Sequence, residues 1–147
     1  MVFSITKNQK KARVIFCGLF VFLVVFDQYI KKVIVAQGKD VYVCNHGVAL
    51  GIQLPQPIFL IMWGIIMILV SYFWFLAKNK SFLVQLPFLF VITGGVSNMI
   101  DRLYYGCVVD YVSFFSFSSF NFADVCISFG VFLWVRHLFF SKNTKSW

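Results

Sequence analysis

The sequence predicts an all-α integral membrane protein, with four transmembrane helices and a small extracytoplasmic β-element. Three observations predict it. Only 12% of the 147 residues are charged, about half of the roughly 25% that a soluble domain carries, so lipid is the expected solvent. Four apolar runs, roughly Val14–Ile30, Ile58–Ala77, Phe82–Ile100 and Ala123–Phe140, are near the 17–25 residues that a bilayer demands. The basic residues flank those runs, as membrane orientation requires. The size suits one compact membrane-embedded domain over residues 1–147.

The first run follows a basic N-terminal segment, as in a signal peptide. No small-x-small cleavage site follows, and Phe16 before Cys17 spoils a lipoprotein-type site, so the run reads as a retained first helix. The second run, "IFLIMWGIIMILVSYFWFLA", is polar almost nowhere and reads as lipid-facing scaffold. A helix satisfies its own backbone groups in lipid, which makes it the expected form of all four runs. Nine of the thirteen Lys and Arg fall on one side, at Lys7, Lys10, Lys11, Arg13, Lys78, Lys80, Arg136, Lys142 and Lys145. Lys31, Lys32, Lys39 and Arg102 fall on the other. The positive-inside bias therefore puts both termini and the "KNK" turn in the cytoplasm, and segments of about 31–57 and 101–122 outside. Arg136 and His137 lie near the end of the fourth run and can snorkel to the cytoplasmic surface. In the outer segments "VYVCN" and "CVVDYV" are β-branched and aromatic, which predicts short strands lying on the membrane surface.

The net charge of +8 raises nucleic acid as a partner, but no basic face is available for a phosphate backbone. The four cysteines have neither CxxC nor Cys/His metal spacing. Free thiols are expected, although Cys44 and Cys107 both lie outside the cytoplasm, which leaves a disulfide between them open.

The polar residues gather at one depth. Asp27 and Gln28 end the first helix on the outer side, and Asn98 and Asp101 end the third there, three apart and on one face. Asn121 and Asp124 begin the fourth helix at the same boundary, with Asp110 just before it and Asn45 in the other outer segment. Each has a structural reading. Asn121 and Asp124 can cap the fourth helix, Asp27 can pair with Lys31 one turn on, and Asp101 can neutralise a basic neighbour. As a set, ionisable groups at the membrane are costly and mark function.

Such carboxylates suit cation binding, proton relay or acid–base hydrolysis. A transporter would show internal repeats and polar mid-bilayer residues, whereas here the helix middles are apolar. Glu is absent, and His46 and His137 lie on opposite sides, so neither a metal nor an organic cofactor is expected. Hydrolysis fits best, by two aspartates that share one proton. A small non-enzymatic ion or proton carrier is the alternative.

Five motifs in order then resemble the lipoprotein signal peptidases, or signal peptidase II. "DQYIKK" resembles D-Q-x-x-K, "NHGVALG" resembles N-x-G-x-A-[FL]-G, and "GGVSNMIDR" resembles the Gly-rich G-N-x-x-D-R element. "GCVVDYV" resembles G-x-V-V-D-[FY], and "FNFADV" resembles F-N-x-A-D. The resemblance covers nearly the whole chain. It implies a four-helix aspartic peptidase of the bacterial inner membrane, with a small extracytoplasmic sheet, a lid-like surface helix and its active site at the outer face. It implies removal of signal peptides from prolipoproteins just before a diacylglyceryl-modified cysteine, by an enzyme expected to be a monomer. Carried over by motif, the catalytic pair is Asp110 and Asp124. Asp27, Asn45, Asn98, Asp101, Arg102 and Asn121 form the polar shell around it. Ser97 stands where many members have Gly, and Leu50 where many have Phe.

Overall fold

A computed structural model describes residues 7–47, 55–114 and 118–140. Four α-helices run Lys7–Ala36 (α1), Gln56–Ala77 (α2), Phe82–Tyr105 (α3) and Phe122–Phe140 (α4). All four are long and apolar enough to cross a membrane. Between them lie four three-residue strands, β1 (Val43–Asn45), β2 (Val108–Asp110), β3 (Val112–Phe114) and β4 (Ser118–Phe120). β1 pairs antiparallel with β2, and β3 with β4. The two segments expected to form strands therefore do so. Among the described residues, the helical structure between the membrane spans is a single 3-10 turn, Lys39–Val41. Leu50 and most of "NHGVALG" lie outside the described residues.

α1 and α3 run further than their apolar runs, to Ala36 rather than Ile30 and to Tyr105 rather than Ile100. The reason is that the polar residues past each run are internal. Lys31 and Asp101 are fully buried against each other, so the helices continue through the residues that make the contact. Gly106 ends α3 with φ 77°, a left-handed conformation that a residue with a Cβ adopts only with strain. Its N–H donates to the Arg102 carbonyl at 3.2 Å, and the chain turns straight into β2.

α3 is the hub, with its widest contact against α4 and further contacts to α1 and α2. Half of its most apolar stretch is buried, against 6% of α2's, which accords with α2 as the lipid-facing element. At the end away from the strands, Val70 and Ala77 of α2 pack on Phe88 of α3, beside Trp74 and Trp134. There Gln85 Nε2 donates to the carbonyls of Lys78 and Lys80 and holds the α2–α3 turn.

Two glycines set the α3–α4 distance. A Cβ on Gly94 would meet the Ala123 carbonyl oxygen, and one on Gly130 would stand 2.7 Å from that of Pro87. The two contacts are seven residues apart on each antiparallel helix, so small residues let the backbones touch along one seam. A carbonyl cannot swing aside as a side chain can. Gly94→Val should therefore cost about 1–3 kcal/mol and move the α4 N-terminus, seen as earlier melting in detergent. Gly64→Val, where nothing lies within 4 Å, should melt as the parent does. Equal melting of the two variants would refute the seam.

Candidate active site

Local sequence builds the first part of the site. Asn121 stands just before α4, and its Oδ1 accepts the Asp124 N–H at 3.0 Å. In return Asp124 Oδ2 accepts the Asn121 N–H at 3.0 Å. This is a reciprocal capping box. The first four N–H groups of a helix have no partner within it, and here each finds one. That of Phe122 goes to the Tyr111 hydroxyl oxygen, that of Ala123 to Asp27 Oδ1, that of Asp124 to Asn121 Oδ1 and that of Val125 to the Asn121 carbonyl. The capping reading of Asn121 and Asp124 is therefore correct. It accounts for only part of what these side chains do.

Asn121 Nδ2 also donates to Asp110 Oδ1 at 2.7 Å and to Asn98 Oδ1 at 3.2 Å. Asn98 Nδ2 donates to Asp124 Oδ1 at 2.7 Å, and Asn45 Nδ2 to Asp110 Oδ2 at 2.8 Å. Each of the four carboxylate oxygens of Asp110 and Asp124 thus receives an N–H, and Asn121 touches both groups. Asp110 is buried and Asp124 half-buried. Burial pushes the Asp110 carboxyl up from the ordinary range to about 6. The Asn45 bond works against that rise, the Asp124 charge adds to it, and the Asn121 bond and Lys31 oppose it.

Behind this pair sits a buried ionic cluster. Lys31 Nζ lies 2.8 Å from Asp27 Oδ2, 2.7 Å from Asp101 Oδ2 and 2.9 Å from Asn98 Oδ1. Its three N–H groups have three acceptors, which is how a lysine can be wholly buried. Asp101 Oδ2 also accepts the Val109 N–H at 3.1 Å and so pins β2 against α3. Ser97 Oγ donates to Asp27 Oδ2 at 2.6 Å and accepts from Gln28 Nε2 at 2.9 Å. A second donation from Gln28 reaches Asp101 Oδ1 at 2.8 Å.

Arg102 donates to the Gly47 carbonyl, and its guanidinium stacks 3.9 Å from the Phe59 ring centroid. A groove beside it is lined by Phe59, Leu60, Met99 and Leu103 together with His46. The fifth aspartate, Asp40, is exposed in the 3-10 turn, apart from the site.

Cys44 and Cys107 form a disulfide, which corrects the expectation of free thiols. Strand pairing brings the two cysteines together, and their spacing in sequence gives no sign of it. Cys17 and Cys126 are free. His46 Nε2 lies 3.5 Å from Cys44 Sγ, so Cys44, His46 and Cys107 gather despite having no metal-type spacing. The disulfide occupies both sulfurs of that group.

A family model for signal peptidase (SPase) II matches residues 19–140. The chain belongs to the signal peptidase II family. It is 34% identical to a lipoprotein signal peptidase of Fusobacterium nucleatum, over 89% of this chain and 90% of that one. It is 33% identical to a lipoprotein signal peptidase of Helicobacter pylori, over 95% and 96%. A bacterial membrane enzyme solved by the in meso method at 1.9 Å superposes with a TM-score of 0.70 at 28% identity, over 84% of this chain and 91% of that chain. The four apolar helices and these bacterial relatives make it a multi-pass bacterial membrane protein.

All eight residues singled out from the sequence lie in one connected region. Three more belong there that the sequence reading left out as site residues, Lys31, Gln28 and Ser97. The first two lie within "DQYIKK", so the signal for them was the motif itself. Ser97, the departure from Gly, supplies a hydroxyl that joins Gln28 to Asp27.

Proposed function

We propose that Asp110 and Asp124 are the catalytic dyad of an aspartic peptidase. It removes signal peptides from prolipoproteins just before the diacylglyceryl-modified cysteine, at the outer face of the bacterial inner membrane. Family membership supplies peptidase activity and the prolipoprotein substrates. The observation that carries the finer reading is the pair of carboxylates from different elements, every oxygen oriented by an N–H.

Each carboxylate oxygen keeps lone-pair capacity beyond the one bond it accepts. Asp110, the more deeply buried, carries the shared proton, and Asp124 is the base. Asp124 takes a proton from water as the oxygen attacks the scissile carbonyl. The Asp110 hydroxyl donates to the developing oxyanion. Collapse breaks the C–N bond, a dyad proton passes to the leaving nitrogen, and the products are a signal-peptide carboxylate and the amine of the lipidated cysteine. Asn45, Asn98 and Asn121 hold the two groups at fixed orientations, and no step calls on a metal or organic cofactor.

Two of the four basic residues on the strand side count little as surface charge. Lys31 is buried in its ionic cluster and Arg102 is tied to Gly47, which leaves Lys32 and Lys39 exposed. That sharpens the charge asymmetry and supports cytoplasmic termini with the site outside.

The test is cleavage of a diacylglyceryl-modified model prolipoprotein by purified protein in detergent, followed across pH. The dyad works with one proton, and Asp110 sheds it as pH rises through about 6. In kcat/KM an alkaline limb near that pH is therefore expected, falling about tenfold per unit beyond it. In kcat the limb should sit higher, because bound lipid deepens the burial of Asp110. No product before the lipidated cysteine would sink the function, and a flat kcat/KM between about pH 5 and 8 would sink the dyad.

A further inference from the structure

Among the described residues, Asn45 reaches Asp110 from a strand with little else to hold it. β1 is three residues long, and its one sheet partner among those residues is the equally short β2. A two-stranded pair of this kind is marginal alone. Val43 and Cys44 are exposed, so β1 has little buried apolar surface to fasten it. The strand register sets Val43 opposite Asp110 and Cys44 opposite Val109, and the disulfide then joins Cys44 to Cys107 across the pair. Asn45 is the next residue after Cys44. Its Oδ1 accepts the Gly47 N–H at 2.9 Å, which orients Nδ2 toward Asp110 Oδ2.

We propose that the Cys44–Cys107 disulfide is a positioning element for catalysis, clamping β1 on β2 so that Asn45 stays bonded to Asp110. The inference rests on the dyad reading above. Cys107 is nearly inaccessible while Cys44 is exposed, so a thiol reductant reaches the bond from the Cys44 side. Reduction by excess dithiol breaks the S–S bond and leaves two protein thiols, and the dithiol is oxidised to its cyclic disulfide. β1 then keeps its three residue pairs and the Arg102 contact to Gly47, but no covalent tie to β2.

The loss has a signature in pH. The Asn45 bond lowers the Asp110 pKa, against burial and the Asp124 charge, which raise it. The charged groups acting on Asp110 from the packed helices are Lys31 of α1, Arg102 of α3 and Asp124 of α4. None of them lies on β1, so freeing β1 changes two things at Asp110: loss of the Asn45 bond moves its pKa up, and loss of the cover that Val43 gives moves it down. The alkaline limb of kcat/KM should therefore shift, whereas a purely structural loss would lower the rate equally at every pH and leave the limb in place.

The experiment compares oxidised, dithiol-reduced and reoxidised enzyme in detergent, in the parent, Asn45→Ala and Cys44→Ser/Cys107→Ser backgrounds. Alkylation under denaturing, non-reducing conditions should modify two of the four cysteines before reduction and all four after. Reduction of the parent should lower kcat/KM at pH 6 by about ten- to a hundredfold, the scale of a misplaced catalytic group, and shift the alkaline limb. Reoxidation should restore both. In Asn45→Ala, reduction should add little, because the two changes remove the same contact. Four alkylated cysteines in the oxidised enzyme would overturn the proposal. So would an unchanged rate and pH profile after reduction, or a full further loss in Asn45→Ala. The cysteine double variant should match the reduced parent; should it fail to fold, the reversible reduction of folded parent decides. Activity in Asp110→Asn would overturn the dyad itself, a result separate from any of these.

Discussion

Replacing Asp110 or Asp124 by Asn should abolish turnover in a folded protein. Asn is nearly isosteric with Asp, so the helices and strands keep their packing, at the cost of one accepted N–H bond that the amide NH2 cannot replace. An amide cannot take the water's proton, nor share one with its partner. The single-turnover rate should fall by about 10²–10⁴-fold, the usual worth of acid–base help. The double variant should be no slower than either single, because members of one catalytic unit are not additive. Melting in detergent provides the folding control. If Asp110→Asn or Asp124→Asn keeps more than about a tenth of the parent rate, against that expectation, the assignment is wrong. If Asp27→Asn or Asp101→Asn proves the only inactive variant, the catalytic pair moves to those helix ends.

The second large effect is expected at Lys31. Asp27, Lys31 and Asp101 are each at most 1% exposed, and the lysine is what makes two buried carboxylates tolerable. Lys31→Met leaves both without their cation. Removing one partner of a buried ion pair costs about 3–5 kcal/mol, so melting should fall by about 10 °C or more. Lys31→Arg should rescue poorly, since a planar fork cannot reproduce three bonds from one nitrogen to Asp27, Asp101 and Asn98. Adding Asp101→Asn to Lys31→Met should recover part of the stability by removing one orphaned charge. A Lys31→Met protein that melts with the parent would show that the cluster contributes nothing to the fold. Asp27→Asn and Asp101→Asn alone should lower stability and reduce activity only in part. Asp27 holds the Ala123 N–H and Asp101 the Val109 N–H, one at each of the segments that present Asp124 and Asp110.

Much of this protein is legible in its sequence alone. Length and hydropathy determine the four helices, because in lipid an apolar run of the right length has no better way to satisfy its backbone. The capping of α4 is legible too, since Asn121 and Asp124 are three residues apart and their bonds close within one turn. The gathering of polar residues at one boundary follows from helix ends alone.

Pairings across the fold are another matter, and only the tertiary structure decided them. Lys31 was available to Asp27 one turn away, but nothing local says that it also serves Asp101, 70 residues on. Asn45 meets Asp110 across 65 residues, and Cys44 meets Cys107 across 63. The helices end five or six residues beyond their apolar runs for the same reason, since Lys31 and Asp101 are polar in sequence yet internal in the fold. In a chain a polar side chain has many partners within reach of water. In a buried site an unmet polar group is costly, so the arrangement that satisfies all of them at once is selected, and that condition exists only after the helices have packed.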